Sequence, residues 1–150
     1  MPPLSQPVFT VSMVIATAMI QLVMQIVLDR VTPPRAWSGV SASTQRLAVT
    51  VAAITVLMIG HLCQVAVWAV RYWYWGELGG FVNSFYFSLA SFTTVGASDL
   101  ALPSTHRMVG AIESALGMLM FGWSTALLVA LIQRVDRLHQ PGNQPDQLPR

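Results

Sequence analysis

One stretch of this sequence decides the fold: Val82-Asn83-Ser84-Phe85-Tyr86-Phe87-Ser88-Leu89-Ala90-Ser91-Phe92, followed by Thr93-Thr94-Val95-Gly96-Ala97-Ser98-Asp99. The first part is apolar and aromatic, but its 11 residues are too few to cross a bilayer, which takes ~20 helical residues. The second part is polar and contains a glycine. Irregular backbone is tolerated at membrane depth only where protein buries it or water lines it. We therefore predict a short helix that enters the membrane part-way and a loop that returns.

Three longer apolar segments surround this stretch, and each is long enough to span a membrane. Val8–Leu28 has 21 residues, Leu47–Val70 has 24, and Met108–Ile132 has 25 with Glu113 as its one charge. The whole chain is 54% hydrophobic and 9% charged, whereas soluble domains carry ~25% charged residues. The sequence predicts an all-α membrane protein with three transmembrane helices plus a re-entrant helix and loop.

The first apolar segment is interpreted as a retained span rather than a signal peptide. No Lys or Arg precedes Arg30, and the apolar run is longer than a signal peptide requires. The small residues Ala16-Thr17-Ala18 lie inside that run instead of after it.

Arginine placement predicts the orientation in the membrane. The loop between the first two spans and the C-terminal tail hold six arginines: Arg30, Arg35, Arg46, Arg134, Arg137 and Arg150. The opposite side has Arg71 and Arg107 only. Positively charged loops stay in the cytoplasm, so we predict a multi-pass protein of the cell (inner) membrane with a cytoplasmic C-terminus and an external N-terminus. The short helix then enters from the external side.

Several classes of function are disfavoured by composition. The basic residues are scattered, so nucleic acid is not an expected partner. The single cysteine, Cys63, excludes an internal disulfide. No nucleophile–base arrangement indicates an enzyme, and no span carries arginine at every third position as a voltage sensor does.

The polar loop has the chemistry of a cation site. A cation that leaves water needs other oxygens, and inward-pointing carbonyls of several symmetry-related loops supply them. The short helix ends near Phe92, and the C-terminal end of a helix carries partial negative charge that favours a cation.

The same residues resemble a known family. The segment Phe85–Gly96 followed by Asp99 resembles the pore region of the potassium-channel superfamily. Further residues resemble the helices of its small prokaryotic members: His61, Trp68-Ala69, Arg107, Glu113–Gly117 and Phe121–Ala126. The resemblance covers residues 47–134 and leaves out the first span.

The resemblance implies an outer helix, a pore helix, a selectivity filter and an inner helix, with four subunits around one axis. Because this chain has a single such loop, we expect a homotetramer in contact with membrane lipid. It implies that filter carbonyls of Thr94, Val95, Gly96 and Ala97 bind the ion. Implied supporting residues are Thr93, Ser98, Asp99 at the outer mouth, and Glu113, with Gly117 as a possible hinge. No cofactor or metal is expected beyond permeant potassium or sodium.

The chain would then divide into three parts. Residues 1–45 form an extra span and a cytoplasmic loop, residues 46–134 form the pore core, and residues 135–150 form a short disordered cytoplasmic tail.

The filter departs from the family pattern, because TVGYG is replaced by TVGAS. Ala97 replaces the bracing aromatic residue, and Ser98 replaces a glycine whose left-handed conformation costs other residues ~1–2 kcal/mol. We expect the inner sites at Thr94 and Val95 to survive better than the outer ones. Two functions stay open: a channel for potassium or, with weakened selectivity, for monovalent cations, and a non-conducting homologue that co-assembles as a regulatory subunit.

Polar residues inside the spans have more than one interpretation. Glu113 is either a brace behind the filter or a protonated carboxyl near the external interface. His61 is interpreted as a neutral histidine bonded between helices, with a proton sensor or a metal or haem ligand as alternatives. Gln21 and Gln25 share a helix face and can bond to a neighbouring helix or subunit. Gly117 permits either close helix approach or bending.

Overall fold

The computed structural model describes residues 5–32, 41–96 and 99–139, and these residues form four α-helices and no strand. The helices are α1 (Ser5–Val31), α2 (Ala42–Trp75), α3 (Phe81–Phe92) and α4 (Arg107–His139). Three stretches are long and apolar enough to cross a membrane: Val8–Val31, Ser43–Trp75 and Arg107–Arg137. The predicted fold class, all-α with three candidate spans, is confirmed.

The turn between α2 and α3 is set by glycines. Gly76 ends α2 in the left-handed conformation, with φ 72°, and its N–H donates to the Trp73 carbonyl. Gly80 precedes α3 with φ 143°, a value that side chains disfavour. This turn starts α3 within a few residues of the end of α2, so the short helix returns alongside the long one.

Helix α2 is the centre of the bundle and packs against the three other helices. At one end of the bundle, an apolar cluster joins Trp68 and Tyr72 of α2 to Phe87 of α3 and Leu116 of α4. At the other end, Leu28 of α1 packs with residues of α2 and α4. Helix α3 therefore lies at one end of the bundle, between α2 and α4, which is the placement expected of a re-entrant helix.

The C-terminal end of α4 lies beyond residue 134, where the predicted pore core ends. The helix continues to His139. Val135 is buried, and Asp136 pairs with Arg46 at 3.2 Å. Residues 135–139 therefore belong to α4, whereas the rest of the predicted disordered tail lies outside the described residues.

Candidate functional site

The loop after α3 folds back on the last turn of that helix. The N–H of Thr94 donates to the Ser91 carbonyl at 2.9 Å, and the N–H of Gly96 donates to the Ala90 carbonyl at 3.0 Å. Thr93 is the C-cap of the helix, and its own N–H donates to the Leu89 carbonyl. These bonds satisfy carbonyls that an ending helix leaves unpaired, so the loop begins as a helix-terminating turn.

Two residues of the loop have positive φ angles, Thr94 at 62° and Gly96 at 80°. Glycine adopts this conformation freely, but a β-branched residue such as threonine rarely does, at a cost of ~1–3 kcal/mol. From the sequence, the strain of a left-handed backbone is expected at Ser98. Ala97 and Ser98 lie outside the described residues, and the described strain is at Thr94.

The loop is open on one side. Val95 is 80% exposed, and Gly96 and Asp99 are also exposed. A cleft of about 450 Å³ lies between the loop and α4, with Thr94 and Gly96 on one wall and Gly110 and Ser114 on the other. The loop therefore presents backbone and side chains to a space that the described part of this chain does not fill.

Gly117 of α4 lies against the end of α3. A side chain at this position would collide with the main-chain carbonyl of Phe92, a residue that is itself fully buried. The contact explains the glycine by close helix approach without requiring a bend, and a hinge at Gly117 remains a prediction. The approach fixes the C-terminal end of α3 relative to α4.

Glu113 is fully buried and joins three helices. The hydroxyl of Tyr72 on α2 donates to Glu113 Oε2 at 2.7 Å. On α3, Ser88 Oγ lies 2.5 Å from Glu113 Oε1 and 2.9 Å from the Val65 carbonyl oxygen. These contacts reach α3 rather than the loop itself, and the role of Glu113 as a brace behind the filter stays a prediction.

The hydrogen-bond count at this site favours a neutral Glu113. Ser88 has one proton to donate, and the Val65 carbonyl can only accept. Both short contacts are hydrogen bonds if Ser88 donates to Val65 and a protonated Glu113 donates to Ser88. If Glu113 were charged, either the Ser88–Glu113 contact or the Ser88–Val65 contact would have no proton between its two oxygens. Such a contact is costly in a buried site.

A second buried polar cluster ties α1 to α2 and α4. Its members form a closed ring of side chains: His61 Nδ1 lies 2.9 Å from Gln64 Oε1, and Gln64 donates to Gln21 at 3.1 Å. Gln21 in turn donates to Ser124 Oγ at 3.1 Å, and Ser124 lies 3.0 Å from His61 Nε2. All four side chains are buried.

The contacts of the ring fit a histidine that donates from Nδ1 and accepts at Nε2. An amide oxygen only accepts, so His61 must donate from Nδ1 to Gln64. Its Nε2 is then an acceptor for the Ser124 hydroxyl, and the Ser124 oxygen accepts from Gln21. The structure thus has His61 hydrogen-bonded between helices, as the sequence interpretation supposed. Within the described ranges, no group of three or more His, Cys, Asp or Glu residues gathers around a possible metal ion.

Only part of this cluster was predicted from the sequence. Gln64 and Thr17 are fully buried, but neither was predicted to make a buried polar contact. The indole N–H of Trp68 donates to Thr17 Oγ1 at 3.0 Å, which adds a further bond between α1 and α2. Gln25, which was grouped with Gln21, is only half-buried and takes no part in the ring. A scan for polar residues within the spans would have found Gln64.

Comparison with known protein families identifies the class of protein that has this geometry. A family model described as an ion channel matches residues 47–134. The chain belongs to this ion channel family. The match covers α2, α3, the loop and α4 to Arg134, the same range as the resemblance in the sequence, and it supports a potassium-channel-type pore domain. Ion channels of this family are not a class of enzyme.

Helix α1 lies outside the family match, although the buried ring attaches it to the channel core. A search of curated proteins gave no match, and a search of solved structures gave none.

Proposed function

We propose that this protein is a tetrameric cation channel that conducts potassium or, because of its altered filter, monovalent cations with weakened selectivity. The observation that carries the proposal is α3, a 12-residue helix that ends inside the bundle at the buried Phe92 and continues into an exposed loop. In a membrane, such a loop is tolerable only against protein or water. Four copies around an axis would provide both.

The exposed surface of the single chain supports assembly. Apolar side chains of α3 and α4 remain uncovered in the single chain, among them Val82 at 79%, Tyr86 at 47%, Leu119 at 65% and Trp123 at 42%. A bilayer can cover some of these. The cleft beside Thr94, however, is lined partly by polar groups, which lipid tails cannot satisfy. A neighbouring subunit would cover it better.

Ion binding would use the loop carbonyls of Thr94, Val95, Gly96 and Ala97, with Asp99 at the mouth. Helix α3 would point its C-terminal end at the ion, so its partial negative charge would lower the energy of a cation there. Glu113 and Thr93 would hold this helix in place, and Ser98 would complete the loop. No other metal or cofactor is needed, and the electrochemical gradient would drive transport.

A second function, a non-conducting subunit that co-assembles with related channels, is favoured by the TVGAS sequence. Ala97 cannot supply the ring that braces the filter in the resembled channels, and Ser98 lacks the freedom of glycine. In either case we propose a cell (inner) membrane location, with the N-terminus external and the C-terminus cytoplasmic.

The test is the reversal potential of the purified protein in planar bilayers, with potassium on one side and sodium on the other. A value between zero and the potassium equilibrium potential is expected for the natural sequence. The double variant Ala97→Tyr with Ser98→Gly should move the value toward that equilibrium potential. Current from the double variant alone would support the non-conducting subunit. Absence of current from both, in a protein shown to be folded, would contradict the channel function.

A further inference from the structure

A groove between α1 and α2 lies at the end of the bundle where α1 begins and α2 ends. It has a volume of about 590 Å³. Five apolar residues line most of it, Phe9 and Met13 of α1 and Ala66, Val67 and Val70 of α2, and Arg71 and Tyr74 complete the lining. All five are apolar, so a hydrocarbon chain would fit the surface of the groove better than water.

The groove has one cationic group, Arg71. Its guanidinium carbon lies 4.2 Å from the centre of the Phe9 ring and 4.3 Å from that of Trp75. Ring stacking covers a face of the guanidinium, whereas its N–H groups point outward in its plane. Over residues 5–32, 41–96 and 99–139, no acidic side chain forms an ion pair with Arg71. The charge is therefore held in a fixed position without an anionic partner.

The Nε atom of Arg71 is buried and has no hydrogen-bond acceptor within the described part of the chain. A buried donor left unpaired is costly. A small movement of the side chain toward an anion in the groove would remove that cost.

The height of the groove in the membrane fits a lipid headgroup above it. Arg71 lies four residues from the end of the candidate span Ser43–Trp75. At the same level of α2, Trp73 is 55% exposed and Tyr74 is 76% exposed, and the Tyr74 ring centre lies 5.9 Å from the Arg71 guanidinium carbon. Exposed Trp and Tyr are typical of the interface between hydrocarbon and headgroups, which is where lipid phosphates lie.

We propose that this groove is a binding site for an anionic phospholipid, with an acyl chain between α1 and α2 and the phosphodiester on the Arg71 guanidinium. Arginine and phosphate form strong, bidentate, charge-assisted hydrogen bonds. No acidic side chain lines the groove to pair with a cationic headgroup, so lipids with net negative charge should bind better than zwitterionic ones. The bound lipid would contact both α1 and the channel core, next to the buried ring that already joins them.

The site can be tested by lipid binding, independently of ion conduction. Native mass spectrometry would count lipids retained by the protein after exchange into micelles doped with phosphatidylglycerol or with phosphatidylcholine of the same chains. The natural protein should retain phosphatidylglycerol with at least ~10-fold preference. The Arg71→Gln variant should lose that preference, and Arg107→Gln, which removes an equal charge outside the groove, should keep it. Equal loss in both variants, or no loss in either, would overturn the proposal.

A second pair of variants examines the groove itself. Val67→Trp fills it, and Val51→Trp adds the same bulk at an exposed position elsewhere on α2. Only Val67→Trp should displace phosphatidylglycerol, with the oligomer intact. Loss of the oligomer in Val67→Trp would instead identify the groove as a contact between subunits and overturn the proposal. Displacement of the lipid by millimolar inorganic phosphate would show that the acyl chain adds nothing, which also contradicts it.

Discussion

Glu113 Oε1 of α4 lies 2.5 Å from the hydroxyl oxygen of Ser88 in α3. Through this contact and the bond from Tyr72, a single carboxyl group holds the short helix against both of its long neighbours. The Glu113 carboxyl therefore helps to position α3 and the loop that follows it.

The first prediction concerns the charge of Glu113. Glu113→Gln should change stability by less than ~1 kcal/mol, because a glutamine amide can donate to Ser88 and accept from Tyr72 as a neutral carboxyl does. Glu113→Ala should cost about 1–3 kcal/mol, because it leaves the Tyr72 hydroxyl buried without its acceptor. Thermal unfolding of the detergent-solubilised protein, followed by size-exclusion chromatography, measures both.

Ser114→Ala provides the control for these variants, since the Ser114 hydroxyl donates to the Gly110 carbonyl of its own helix. It should leave the unfolding temperature nearly unchanged. If Glu113→Gln proved as damaging as Glu113→Ala, the carboxylate charge would be required and the hydrogen-bond count given above would be wrong.

The second prediction is that Gln21 and Ser124 are energetically coupled across α1 and α4. A double-mutant cycle of Gln21→Leu and Ser124→Ala should give a coupling of about 0.5–1.5 kcal/mol, the order of magnitude found for hydrogen bonds between membrane helices. Thr125→Ala is the matched control, because Thr125 is exposed and bonds to Phe121 of its own helix. Coupling of Gln21 to Thr125 as strong as that to Ser124 would contradict the ring.

The third prediction is that two glycines of α4 differ in their tolerance of substitution by alanine. Gly117→Ala places a methyl group against the Phe92 carbonyl, which is main chain and cannot turn aside, and should cost about 1–3 kcal/mol. A methyl group in Gly122→Ala meets no atom of another part of the described chain within 4 Å and should be tolerated. Expression level and unfolding temperature of the two variants report the difference. Equal tolerance of both would mean that α4 approaches α3 less closely than described.

The fourth prediction is that the ion pair between Arg46 and Asp136 contributes little. The two side chains are 55% and 39% exposed, and ion pairs that exposed are worth ~0–1 kcal/mol. Asp136→Asn should therefore shift stability by no more than ~1 kcal/mol, with the effect vanishing in 0.5 M salt. A larger loss, persisting in high salt, would show that this end of α4 is held by the pair rather than by the burial of Val135.

The sequence predicted the number and approximate bounds of the helices, because the length of a membrane-spanning helix follows from the thickness of the bilayer. The short segment predicted from residue 82 to 92 is α3, which begins one residue earlier. The predicted spans are also present, but α2 and α4 extend beyond them. Hydropathy predicts only the part of a helix that lies in the hydrocarbon core, whereas these helices continue into the membrane interface, where Arg46 pairs with Asp136.

The polar partners could not be predicted in the same way. His61 and Ser124 are 63 residues apart, and Trp68 and Thr17 are 51 apart. Sequence showed that Glu113 and His61 need partners in the membrane, because unpaired polar groups are expensive there. It did not show which hydroxyls or amides would supply them, since this depends on how the helices rotate and cross.

The sequence by itself determined a three-span topology with a re-entrant helix and loop, because the free energy of placing apolar residues in lipid depends on local composition and length. Only the tertiary structure decided that Glu113 bonds to Ser88 and Tyr72, that Gly117 lies against Phe92, and that α1 is tied to the core through Gln21. Those contacts depend on distances of a few ångströms between separate helices. Such distances are set by the packing of the whole bundle rather than by any one segment.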